Sequence, residues 1–253
     1  MSSHLPPPFD QPDATCAAEQ IFRQYAALCR TLTLDVEAGL GGKLLYAGEL
    51  TSAGRDLLFA ANIAGAASLA ASADPTVQRM AMRDGVVDFV VTSLEEALRI
   101  LKNEIRKRQT VSVGVGVAPQ KLVEAMLERG VLPELLAADG QLPLMERFAA
   151  DGARRIEVAE TTVGDYICWS VDRQFAQWLP RLDALAIAAI PAGDTERRRW
   201  LRLAPRYLGR LAQRERGVVL SDAELEEFRE AARKLAAEAT DPVQIEIAGQ
   251  PIL

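Results

Sequence analysis

The chain has 253 residues, of which 49% are apolar and 25% charged, with a formal net charge of −6. That length can bury a large core, and the acidic balance argues against nucleic-acid binding. Three scattered cysteines without CxxC spacing argue against a zinc site and fit a reducing cytoplasm.

Residues 1–14, with Pro6-Pro7-Pro8, read as a disordered or surface-laid arm. Ile21, Tyr25, Leu28 and Leu32 recur at spacings of three and four and predict a helix over 15–31. A first strand is expected at 43–47, then a turn holding Gly48 and Gly54. A helix over 54–67 follows, rich in small residues that let it approach a sheet closely. A second strand at 68–73 ends at Asp74-Pro75. The apolar run 57–73 contains Asn62, Gly65 and many alanines, so it reads as helix plus strand rather than a membrane span.

A helix over 76–84 should stop at Gly85. Residues 86–91 are almost wholly apolar, as in a strand covered on both faces. Ser93 and Glu96 form a capping box for a helix to about 108. A fourth strand is expected at 111–115, a helix from Pro119 to 129, and a fifth strand at 135–138. A further unit runs through 142–150, 154–159 and 183–190. Tyr166-Ile167-Cys168-Trp169 reads as an ordinary strand. The tail carries two charged helical patterns, 194–216 and 221–240, the second opened by a Ser221/Glu224 capping box. Residues 243–247 add an edge strand or trail. Strands alternating with helices imply an α/β fold, a Rossmann-like parallel sheet with flanking helices. The expected division is an arm at 1–14, a core at 15–217, and a C-terminal helix and tail at 218–253.

In an open parallel sheet, ligands bind beyond the carboxyl ends of the strands. Those ends hold Gly48, Ser52 and Gly54, then Ser72 and Asp74, then Thr92. Gly48 and Gly54 would let the backbone approach a pyrophosphate, with the N-terminus of the next helix supplying N–H donors. Asp74 would accept from a ribose hydroxyl. The competing reading is turn glycines and an Asp-Pro turn. No catalytic set stands out. The single histidine is His4, so no Ser-His-Asp arrangement is available. HExxH and Walker motifs are absent. The pairs Glu95/Glu96 and Glu157/Glu160 read as surface charge, and 106–108 and 197–199 as solvated basic helix ends. No metal ligands and no catalytic residues are assigned.

The stretch 40–75, the run Ser93 to Leu98 with Val111 to Gly114, and Met126 to Leu135 resemble the core of the urocanate hydratase (urocanase) family, with a fainter likeness over 197–217. The resemblance implies a tightly bound NAD that acts as an electrophile toward the imidazole of urocanate. It also implies a fold of this kind within proteins about twice this length or more. The chain departs from the family pattern at several points. Between Gly48 and Gly54 the family's middle glycines are replaced, and Glu49 places a negative charge beside the expected pyrophosphate. Ser72 stands where the family holds the adenosine ribose with a glutamate. Asp139 and Gln141 remain near the substrate end, but the family's Thr, Ser and His there are absent. Cys168-Trp169 is only superficially similar to the family's active-site cysteine loop.

Three readings follow: an NAD-binding, urocanase-like protein with altered or lost catalysis; an active hydratase or related lyase of histidine catabolism, completed by another chain; or a cofactor-free binding or assembly module. A small-molecule substrate is compatible with the first two. No membrane or nucleic-acid partner is expected. A homodimer is, through the helix around Ile21, Tyr25 and Leu28 or that around Leu225, Phe228 and Leu235.

Overall fold

The structure is a computed structural model and describes residues 14–137, 144–158, 164–239 and 243–252. Its first half alternates strands and helices: β1 (Leu44–Glu49), α2 (Ser52–Ala64), β2 (Ala67–Ala71), α3 (Pro75–Arg83), β3 (Phe89–Val91), α4 (Leu94–Lys107), β4 (Val111–Val115), α5 (Pro119–Glu128), β5 (Leu135–Leu136), α6 (Met145–Ala150) and β6 (Arg154–Arg155), preceded by α1 (Ala14–Thr31). The six strands form one parallel sheet in the order β3-β4-β2-β1-β5-β6. The fold is therefore Rossmann-like α/β, as the alternation predicts.

Strand periodicity sorts the core into two layers. Leu44 and Tyr46 pack with α4, α5 and α6, whereas Leu45 and Ala47 pack with α1 and α2. Helix α2 stops three residues earlier than its apolar pattern suggests. Gly65 takes a left-handed φ of 96° there and its N–H bonds back to Ala61 and Asn62. The third strand is only Phe89–Val91, because Val86 and Val87 are buried in the turn leaving α3. The Ser93 cap forms as predicted, but Glu96 reaches Thr92 N–H rather than closing on Ser93.

The second half differs from the sequence expectation. Residues 183–189 belong to α7 (Phe175–Ala189) and add no unit to the parallel sheet. The pattern over 194–216 breaks into α8 (Thr195–Tyr207), a short 3₁₀ turn at Gly209–Ala212, and β8 (Glu215–Leu220). Pro205 and Gly209 weaken the helix, and Val218 and Val219 favour the strand. With β7 (Asp165–Val171), β9 (Ile245–Ile247) and β10 (Gln250–Pro251), β8 builds an antiparallel sheet in the order β10-β9-β7-β8. The strand suspected at 243–247 thus lies inside a sheet. Helix α9 (Asp222–Ala237) has the full Ser221/Glu224 capping box. Strand β8 runs through position 217, where a boundary was expected, and one apolar core joins β1, α1 and α2 to β7, β8 and α9.

At that junction sits an aromatic cluster of Phe22, Tyr25, Tyr166 and Trp200, with ring centroids 5.0 to 6.2 Å apart. Trp200 Nε1 donates to Gly217 O at 2.7 Å. Ile21, Tyr25, Leu28 and Phe228, expected as interface residues, are buried in this chain's own core.

Candidate functional site

The strand order reverses at β1: the chain first builds β2, β3 and β4 on one side of it, then β5 and β6 on the other. A crevice outside the carboxyl ends of strands at such a point is where α/β folds bind ligands. A cavity of about 800 Å³ lies there, at the ends of β1 and β5. Its floor is Tyr46 to Glu49 and Ala137, one wall is the start of α2, and another is Ala118 to Gln120.

The local sequence shapes this floor. Gly48 has φ +77°, a conformation L side chains rarely adopt, and a Cβ there would meet nothing within 4 Å. The backbone at Gly48 therefore faces open space. The β1–β2 register slips between Tyr46 and Glu49, and Leu50 N–H bonds to Ala71 O at 3.0 Å, which folds the chain over toward α2. Thr51 caps α2, its hydroxyl accepting from Gly54 N at 3.3 Å. Gly54 is required for a different reason: a Cβ would lie 1.9 Å from Glu49 O. It allows the turn to close on its own helix, so its need is met by the chain itself.

The sequence-predicted positions divide into groups. Gly48 and Gly54 line the cavity, and Ser52 sits between two lining residues, Thr51 and Ala53. Ser72 and Asp74 lie at the end of the neighbouring β2 but serve their own turn: Ser72 Oγ accepts from Asp74 N at 3.2 Å, and Asp74 caps α3 by accepting from Thr76 N at 2.7 Å. Neither lines the cavity. Thr92 is three strands from β1, where its N–H and hydroxyl both donate to Glu96. Asp139 and Gln141 lie outside the described residues. Cys168 is in β7, facing Gly217 across the antiparallel sheet, away from the cavity.

The sequence reading missed Gln20 and Gln24, one turn apart on α1, and Gln120, Met145 and Val158. The helical pattern of α1 places its apolar stripe, but it carries no signal that the polar flank crosses the strand ends. Tyr46 was read only as a strand residue. It is buried, its hydroxyl reaches Pro119 O at 3.5 Å, and burial with the nearby Glu49 charge holds its phenol well above the usual range.

The lining is thus apolar on the floor, with amides and a hydroxyl at the rim, and Glu49 is its one charged side chain among the described residues. Residues 23–142 match the urocanase Rossmann-like domain. The matched, urocanase-like segment holds β1 to β5 and the second half of α1, so it contains both glycines, Thr51, Tyr46 and Gln120. Such a domain is compatible with NAD. The residues fit a dinucleotide where its pyrophosphate would approach, because the backbone at Gly48 is open and the start of α2 lines the same cavity. Among the described residues no cluster of metal-binding side chains occurs, and no helix is long and apolar enough to cross a membrane.

Proposed function

We propose that this is a urocanase-like protein that binds NAD in the cavity above β1, and that its catalysis has diverged from urocanate hydration. The observation that carries the reading is the 800 Å³ cavity at the sheet's reversal point, inside the segment that matches the urocanase domain. Gly48 and the start of α2 would hold the pyrophosphate, and the apolar floor with Tyr46, Leu57 and Met145 would shelter a ring. When bound, NAD would supply an electrophilic nicotinamide. Glu49 weakens anion binding by placing a carboxylate at the same rim. Divergence is supported by the single histidine, His4, and by the Leu142-Pro143-Leu144 sequence where the family has polar groups.

Thermal shift tests this reading. NAD at millimolar concentration should raise the melting temperature by mass action. Ala53→Glu, an exposed change in the first turn of α2, should abolish the rise without altering the unliganded melt. Glu49→Gln should enlarge it. Gly54→Val is unsuited to this test, since it strikes Glu49 O whether or not a ligand binds. No shift with NAD or NADP would favour the cofactor-free module. Consumption of urocanate's ultraviolet absorbance by the pure protein would restore the hydratase reading.

A further inference from the structure

The antiparallel sheet has a cavity of its own. About 780 Å³ of space opens between the start of α7 and the 3₁₀ turn that leads into β8. It shares no lining residue with the cavity above β1. The whole chain is acidic, yet the charged side chains lining this cavity are Arg214 and Arg216, and among the described residues no carboxylate lines it. Concave sites with a few convergent polar groups are where small molecules bind.

Spacing brings the two arginines together, since residues two apart in extended chain share a face. Arg216 lies on the face of β8 that packs toward α7, where its Nε donates to Asp183 Oδ2 at 3.2 Å. That bond anchors the guanidinium by one nitrogen. Its Nη1 is buried and has no hydrogen-bond partner, a state that folded proteins rarely leave uncompensated. Arg214, at the entry to the strand, is exposed and stands 5.5 Å from the centre of the Phe175 ring. It makes no ion pair among the described residues. One cation is thus anchored in the fold and the other rests on an aromatic ring, and both keep donors to spend.

The start of α7 adds to the same field. Gln174 takes a left-handed φ of 54° and commits its side-chain oxygen to Trp178 Nε1 at 3.2 Å, so the helix begins without a side-chain cap. An uncapped helix start carries partial positive charge, and Gln174 to Gln177 line the cavity. Pro180 and Pro205 supply apolar wall.

Guanidinium groups match the oxygens of a phosphate, and two of them suit a dianion better than the single charge of a carboxylate. The ring and the prolines suit an organic body joined to it. We infer that this cavity binds a small phosphate monoester, with Arg214 and Arg216 holding the phosphate and Phe175 and the prolines bordering its organic part.

Calorimetric titration of the full chain with phenyl phosphate tests this. Phenyl phosphate should bind at submillimolar concentration, and inorganic phosphate and benzoate should each bind several-fold more weakly. Arg214→Gln, an exposed change, should weaken phenyl phosphate by about ten-fold with an unchanged far-ultraviolet circular dichroism spectrum. Arg210→Gln removes the same charge from an exposed neighbour that does not line the cavity, and should change little. No binding of phenyl phosphate at millimolar concentration would overturn the inference. So would equal losses in the two variants, which would mark general surface charge, or an affinity for inorganic phosphate or benzoate as high as that for the ester.

Discussion

The two sheets of this molecule are held by different means. In the parallel half, α2 lays Ala60, Ala61 and Ala64 against the strands, and close packing of small residues does most of the work. In the antiparallel half buried polar pairs add to the apolar core. Trp169 Nε1 donates to Asp183 Oδ1 at 3.1 Å, Arg216 pairs with Asp183 at 3.2 Å, and Arg197 makes a two-pronged pair with Glu224 at 2.7 and 2.8 Å. The halves meet where Arg199 of α8 donates to Ile63 O at 2.9 Å and Glu37 O at 3.0 Å. A buried cation at the carboxyl end of α2 complements the helix dipole. The antiparallel half therefore braces, from behind, the helix whose front end opens onto the cavity. Among the described residues, none of β7, α7, α8, β8 or α9 lines the cavity.

The strongest way to break this division is at the junction. Trp200→Ala would remove a fully buried indole and leave Gly217 O without its donor, at a cost of about 3–5 kcal/mol. Urea denaturation should show both halves unfolding in a single earlier transition. Two separate transitions would mean that the shared core does not couple them.

A smaller effect, confined to the parallel half, is expected at Gly54. Even Ala puts a methyl 1.9 Å from Glu49 O, so the β1–α2 turn must open, at about 1–3 kcal/mol. The same substitution at exposed Gly193, where a Cβ meets nothing, is the control and should change little. Equal midpoints for the two variants would refute the close-approach account.

In the antiparallel half, Glu224→Gln should cost about 1.5 kcal/mol by weakening the Arg197 pair. Hydrogen bonds from Arg197 hold the Glu224 carboxyl down at about 2, from 4.5. Its contribution is thus present above pH 4.5 and lost as pH falls toward 2. The deficit of the variant, measured by denaturation, should vanish over that acid range.

The same contrast explains what the sequence disclosed. In the parallel half each strand follows its helix closely, so apolar runs, caps at Ser93 and stops at Gly85 read directly. In the antiparallel half β7 pairs with β8 and with β9, across dozens of residues, and no local pattern announces such partners. Residues 183–189 are apolar enough for either a strand or a helix, and the short-run ambiguity fell the wrong way. At the cavity, Gly48 and Gly54 stood out because glycine in a strand–helix turn has few explanations. Gln20 and Gln24 did not, since polar residues flanking an amphipathic helix are what solvent exposure also produces. Ser72 and Asp74 were legible as a turn, and the turn is what their hydrogen bonds make.

The last and smallest effect sharpens the comparison through pH. Glu196 on α8 faces Tyr25 and Cys29 of α1, with Asp194, Arg197 and Arg30 around it, and Tyr25 donates to its main-chain oxygen at 2.9 Å. Burial, with repulsion from Asp194, pushes the Glu196 carboxyl up to about 7 from 4.5. Folding therefore favours its protonated form. The stabilisation is complete below pH 4.5 and is lost as pH rises through 7, the opposite sense to Glu224. Asp183, raised by burial to about 6, adds to the same slope from the same half, while Asp56, also raised by burial to about 6, adds to it from the parallel half. Glu196→Gln keeps a neutral polar group of the same shape and cannot ionise. Relative to wild type it should gain stability from pH 4.5 to pH 7.5, by on the order of 1 kcal/mol after allowing for solvent screening. Midpoints taken at several pH values give this difference directly. A difference that stays flat would show that Glu196 reaches water freely and that the α1–α8 contact leaves it ionised.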